Sequence, residues 1–190
     1  LLSIIVNPLL FAWLDRPEAR EPANRAPEPE EHISPPIRPG LSNHVIEIGY
    51  GRVGSELTRL LTEGGDEIVV IDDEEDLVNK ARAAGLPAIR GNAANERVLR
   101  EAAPERATMV MVAIPNALEA GEIIAKLREI NPALTIVARA HSDIEVKHLL
   151  EHGADAAVLA ERELAHSLAE MVMATPQYRG ERHLPPVAPA

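Results

Sequence analysis

His44-Val45-Ile46-Glu47-Ile48-Gly49-Tyr50-Gly51-Arg52-Val53-Gly54 is the stretch on which the fold turns. Its first five residues form an apolar run that stops at Gly49, the pattern of a buried strand. Gly49, Gly51 and Gly54 then stand in the spacing G-x-G-x-x-G. Helical periodicity begins inside the glycine pattern: Val53, Leu57, Leu60 and Leu61 share one face, and Gly64-Gly65 supplies the stop signal. In such a turn the first glycine permits the tight bend, the second lets the backbone approach a pyrophosphate, and the third lets helix pack closely on strand. Free N–H groups and the positive helix end then meet the phosphates. A tight turn alone would use the same glycines, so the weight of the motif comes from the strand before it and the helix after it.

Working outward, the alternation repeats. The spacing predicts strands over 67–72, 88–91, 109–114, 135–140 and 156–160, with helices over 74–84, 96–102, 117–130, 143–152 and 161–174. Six strands alternating with six helices imply βαβ units: an α/β, Rossmann-like, doubly wound parallel six-stranded sheet, of expected order 3-2-1-4-5-6. The composition agrees, because 46% of the 190 residues are hydrophobic and only 2% aromatic, which leaves Val, Ile, Leu and Ala to build the core.

The flanks read differently. Residues 1–14, LLSIIVNPLLFAWL, are apolar but shorter than the roughly 20 residues that span a bilayer, and read as the end of a truncated transmembrane helix or as an interfacial segment. No basic region precedes them and no small-residue cleavage site follows, against a signal peptide. Residues 15–42 form a Pro/Glu-rich linker, with seven prolines and ten charges between Asp15 and Gly40. The Rossmann domain occupies 43–174, and 175–190 is a proline-rich tail expected to be disordered.

The second half of the dinucleotide fingerprint is Asp72, at the end of strand two, eighteen positions after Gly54. A carboxylate there accepts hydrogen bonds from ribose hydroxyls and repels a 2′-phosphate, favouring NAD over NADP. Asp73 is a stand-in for it, or a solvated helix start. Open α/β sheets bind ligands outside the carboxyl ends of their strands, which adds Asn92 and Ala93 at the end of strand three, Ala113 and Ile114 at the end of strand four, and Arg139 at the end of strand five. Each polar member reads two ways. Asn92 meets an adenine edge or serves a turn, Arg139 meets a phosphate or anionic effector or pairs with a neighbouring acid, and Arg52 faces the phosphates or is solvated. Tyr50 and Val53 complete the glycine motif.

Catalytic constellations are missing from the sequence. Neither Tyr50 nor Tyr178 has a Lys four residues on, and His148 and His152, although on one helix face, lack the H-E-x-x-H pattern and read as solvated. No substrate domain follows the sixth unit. A net charge of -11 disfavours nucleic acid as a partner, and the absence of Cys removes thiolate chemistry.

Residues 44–172 resemble the regulator-of-K⁺-conductance (RCK, or TrkA-N) domain, in particular the carboxyl-terminal part of YbaL/Kef-type monovalent cation:proton antiporters. The resemblance rests on G-Y-G-R-V-G (49–54), V-V-I-D-D (69–73), G-N-A-A-N (91–95) and A-R-A (138–140), with Ile4 to Phe11 similar to the end of the last transmembrane helix of that family. It implies a non-enzymatic regulatory domain that binds NAD(H) or AMP in the glycine-rich cleft. It further implies a homodimer through the Rossmann domains, and a place on the cytoplasmic side of the inner (plasma) membrane attached to its own transmembrane antiporter domain. The family usually has Gly-Asp-Ala-Thr where this chain has Gly91-Asn92-Ala93-Ala94, and no second RCK subdomain is present. The rival expectations are an NAD-binding fragment of a soluble oxidoreductase and a peripheral RCK subunit of a K⁺ channel or transporter.

Overall fold

The computed structural model describes residues 40–175. The expected membrane-helix end, most of the linker and nearly all of the tail lie outside the described residues. Strand β1 spans Val45–Ile48 and is followed by helix α1, Arg52–Gly64; β2 is Ile68–Asp72, α2 Glu75–Ala83 and β3 Ala88–Arg90. After α3, Glu96–Glu101, a 3-10 turn at Pro104–Arg106 leads into β4, Met109–Val112. Then come α4, Ala117–Ile130; β5, Thr135–Ala140; α5, Asp143–Glu151; β6, Ala156–Leu159; and α6, Ala160–Ala174.

The six strands form one sheet in the order β3-β2-β1-β4-β5-β6, every pair parallel. This is the Rossmann-like arrangement expected from the alternation, and it puts the reversal of strand order between β1 and β4. Because side chains alternate across a strand, the strands feed two cores. Ile46, Ile48, Val69, Ile71, Val110, Val112, Ile136 and Ala138 face α3, α4 and α5, where Leu99, Ile123, Ile124, Leu127 and Leu149 pack against them. Val45, Ile68, Val70 and Met111 face α1 and α2, with Val78, Ala81, Leu57 and Leu61. Each fully buried aliphatic side chain stabilises the fold by roughly 1.5–3 kcal/mol.

The helix ends follow their capping residues. Asn95, Asn116 and Ser142 accept backbone N–H groups of the first turns of α3, α4 and α5. Gly65 closes α1 at φ 97°, donating its N–H to the carbonyls of Leu61 and Thr62. Arg128 ties the far end of α4 to the β6 side through the Gly153 carbonyl (2.7 Å), the Leu134 carbonyl and Asp155 (2.6 Å).

Three expectations need correction. Strand β4 ends at Val112, so Ala113 and Ile114 belong to the loop beyond it. The face of α1 that meets the sheet is that of Gly54 and Thr58; Val53 and Leu60, expected on that face, are 41% and 52% exposed. His148 is half-buried, its Nε2 enclosed without a partner where a Cβ on Gly121 would approach it to 2.5 Å. Its ring lies 4.1 Å from that of the exposed His152, so only His152 is solvated as expected.

Helix α6 departs from the layered plan. It is exposed from Glu161 to Ala174: Leu164, Leu168, Met171 and Val172 are all at least half exposed, at 60%, 52%, 67% and 51%. The sheet face on the α1 side is likewise only partly covered at β5 and β6, where Val137 and Arg139 are half-buried and Val158 is exposed. It forms an apolar groove of about 440 Å³ lined by Val53, Leu57, Met111, Val137, Arg139 and Val158, with Glu163 of α6 at its lip.

Candidate functional site

At the reversal of strand order the carboxyl ends of β1 and β4 diverge, which opens a crevice. Gly49 stands at the mouth of β1 with φ +99°, a left-handed conformation that a side chain disfavours, and a Cβ there would lie 3.0 Å from Ile114 Cγ2. Gly54 allows α1 to lie on the turn: a Cβ in its place would meet the Gly49 carbonyl oxygen at 1.9 Å and Glu47 Oε1 at 2.7 Å. Gly51 differs, since a Cβ there would have nothing within 4 Å. The space over Gly51 is open, and Gly51 is also the N-cap of α1, which no side chain caps and whose first turn carries no acid. That helix end therefore presents its N–H groups and positive dipole outward.

Asp72 is the fixed point of the cleft. It is 8% exposed, and its two carboxylate oxygens accept the backbone N–H groups of Tyr50 at 2.6 Å and Glu74 at 2.9 Å. One bond holds the glycine turn against β2 and the other holds the start of the β2–α2 loop, so the carboxylate keeps one orientation across the mouth of the sheet. Each oxygen retains acceptor capacity for a hydroxyl.

The cleft, about 200 Å³, is lined by Gly49, Asp72, Asp73, Asn92, Ala93 and Ile114 from the sequence-derived set, together with Ile48, Ile71, Glu74, Gly91, Pro115, Asn116, Glu119 and Ile123. Gly51, Arg52, Val53, Gly54 and Ala113 are outside that lining; Arg52 is exposed at the head of α1. Tyr50 turns its ring into the α1–α2 core, 5% exposed, with the Lys80 ammonium 5.9 Å from the ring centroid, so its part in the cleft is played by its backbone N–H. Arg139 lines the apolar groove beside Val53 instead of the cleft, and its Nε is buried without a partner.

Asn92 is spoken for. Its Oδ1 accepts the Ala94 N–H at 2.6 Å and its Nδ2 donates to Glu119 Oε1 at 2.7 Å. The same loop is held a second time by the Lys126 ammonium, which donates to the Ala94 carbonyl. Glu119 and Ile123 escaped the sequence reading, although their signal was present: they sit at i and i+4 in the first turns of the helix after β4, the face that tops the strand ends.

Residues 45–160 match the family of TrkA-N domains. The chain belongs to that family. A curated relative of this TrkA-N domain is the putative cation/proton antiporter YbaL of Escherichia coli, 40% identical over 178 residues, which are 93% of this chain and 32% of the relative. The chain thus spans about a third of that protein. The crystal structure of the TrkA-N domain of the inner membrane protein YbaL from Escherichia coli is similar with a TM-score of 0.67 and 42% identity, over 70% of this chain and 98% of that one. The Kef carboxyl-terminal domain of Shewanella denitrificans, in an AMP-bound form, is similar with a TM-score of 0.62 and 26% identity, over 74% of this chain and 87% of that one. Among the described residues of this TrkA-N domain, no helix is long and apolar enough to cross a membrane.

Proposed function

We propose that this TrkA-N domain is the nucleotide-sensing, non-enzymatic regulatory part of a membrane monovalent cation:proton antiporter, with K⁺ as the cation, and that it takes NAD(H) or AMP in the cleft between β1 and β4. The observation that carries this reading is the Asp72 carboxylate, clamped by the Tyr50 and Glu74 N–H groups beside the open, uncapped head of α1. A phosphate then sits over Gly51 against the helix N-terminus, with Arg52 free to approach it from the solvent side, and the ribose hydroxyls donate to Asp72. Asp72, Asp73 and Glu74 stand together at the ribose end, where a 2′-phosphate would meet only negative charge. The AMP in the related Kef domain supports the adenine class.

Two copies act together in this reading. The apolar stripe of α6 and the groove beside β5 and β6 belong to one chain, with α6 starting at the groove's lip. In a two-fold dimer, α6 of each copy lies in the other's groove, an isologous exchange. Residues 1–14 are then the end of the transmembrane part, 15–42 the linker, and the domain works on the cytoplasmic side of the inner membrane.

The test is ion flux in proteoliposomes carrying the full-length protein, with and without saturating NADH or AMP. Nucleotide-dependent flux is expected. Flux that ignores both nucleotides, in preparations where binding is verified, would remove the regulatory role.

A further inference from the structure

Resting on the nucleotide reading above, we propose that Glu119 is the residue that selects the base, and that it selects a 6-aminopurine over a 6-oxopurine. The cleft has a direction. Phosphate belongs at the glycine turn and ribose at Asp72, so the base lies beyond, between the β3 loop and the first turns of α4. There the walls are Ala93, Ile114 and Ile123, apolar surfaces suited to the faces of a flat ring, and the polar groups at the rim are Asn92, Asn116 and Glu119.

Two of those three have already committed their acceptor oxygens. Asn116 is the N-cap of α4, its Oδ1 accepting the Leu118 and Glu119 N–H groups. Asn92 spends its Oδ1 on the Ala94 N–H and one Nδ2 hydrogen on Glu119, so it positions Glu119 and offers no acceptor of its own to an exocyclic N–H. The acceptor that remains is the Glu119 carboxylate, steered over the base end by the 2.7 Å bond to its Oε1.

A carboxylate accepts and cannot donate. It therefore welcomes the exocyclic N–H of adenine and repels the carbonyl oxygen that hypoxanthine and guanine carry at the same ring position. Guanine could meet a carboxylate through its paired N–H groups, but that fork draws on both oxygens together, and the Asn92 N–H already takes part of the acceptor capacity of Oε1. The unshared Oε2 suits a single exocyclic N–H donor. The loss on placing a carbonyl against this charged acceptor is about ten- to a hundredfold in affinity.

The experiment is calorimetry of the chain against AMP, IMP and GMP, with Glu119→Gln and Asn92→Ala beside the parent. AMP is expected to bind at least tenfold more tightly than IMP or GMP. Glu119→Gln, whose amide both donates and accepts, is expected to bring IMP close to AMP, and Asn92→Ala to narrow the gap by releasing the carboxylate. A parent that binds AMP and IMP alike overturns the assignment of Glu119 and leaves the nucleotide cleft standing. So does a Glu119→Gln variant that discriminates as the parent does. A parent that binds none of the three overturns the assignment of Glu119, and one that binds no NADH either overturns the nucleotide cleft as well.

Discussion

Glu47 is a carboxylate in the middle of a buried strand. It pairs with Val70 on one side and Met111 on the other, is 0% exposed, and has no hydrogen-bond partner at either oxygen. Gly54 of α1 faces it, while the charged residues of α1, Arg52, Glu56, Arg59 and Glu63, point to solvent. Burial alone therefore holds its pKa well above the ordinary value of 4.5. The folded chain keeps this proton where the unfolded chain has lost it, so the contribution of Glu47 is best below about pH 4.5 and worsens as pH rises toward the folded value, by about 1.4 kcal/mol for each unit in that window. Glu47→Gln removes the titrating group at nearly constant shape. Denaturant unfolding at pH 5 and pH 8 is expected to show the variant gaining on the parent at the higher pH; parallel stabilities at both would contradict the buried, neutral carboxyl.

At the scale of elements, the sequence carried the order of strands and helices almost whole, and the reason is local: apolar runs, helical spacing and side-chain caps such as Asn116 and Ser142 lie within a few residues of what they specify. Whether a face is covered is not local. Val53 and Leu60 repeat with Leu57 and Leu61 as a buried stripe would, yet they are exposed, Val53 at the groove beside β5 and β6. The cleft divides the same way. Gly49, Asp72, Asn92 and Ile114 follow from strand ends, whereas the bond from Asn92 to Glu119 joins residues far apart in sequence, and the side of β5 from which Arg139 projects depends on register. Helix α6 gives this scale its prediction. With the α6 stripe seated in a second copy's groove, Leu168→Asp puts a charge into an apolar contact and forfeits the roughly 1.5–3 kcal/mol of a buried leucine, one to two decades in dimer affinity. Light scattering at tens of micromolar is expected to find the parent dimeric and the variant shifted toward monomer. A monomeric parent would count against the exchange.

For the whole molecule, the proposed organisation constrains how a signal travels. If the segment holding the seven prolines between Asp15 and Gly40 is the stiff spacer its composition predicts, a change in the cleft reaches the membrane through dimer geometry or through docking on the cytoplasmic face. The ligand has to prefer one of two states, since equal affinity shifts nothing, and moving a population from 1:99 to 99:1 takes about 5.5 kcal/mol of differential binding. Two cleft sites in a dimer divide that requirement between them. All of this depends on the cleft holding a nucleotide, and Gly51 gives the cleanest handle on it. Its φ of -67° suits any residue, and a side chain there meets open space in the protein, so Gly51→Val folds while filling the approach to the phosphates. The decisive measurement is calorimetric titration of the parent and of Gly51→Val with AMP and with NADH, after equal melting temperatures establish that both are folded. The expected result is saturable binding of at least one of the two by the parent and its severe weakening in Gly51→Val. A parent that binds neither, or a variant that binds as the parent does, would contradict the nucleotide cleft.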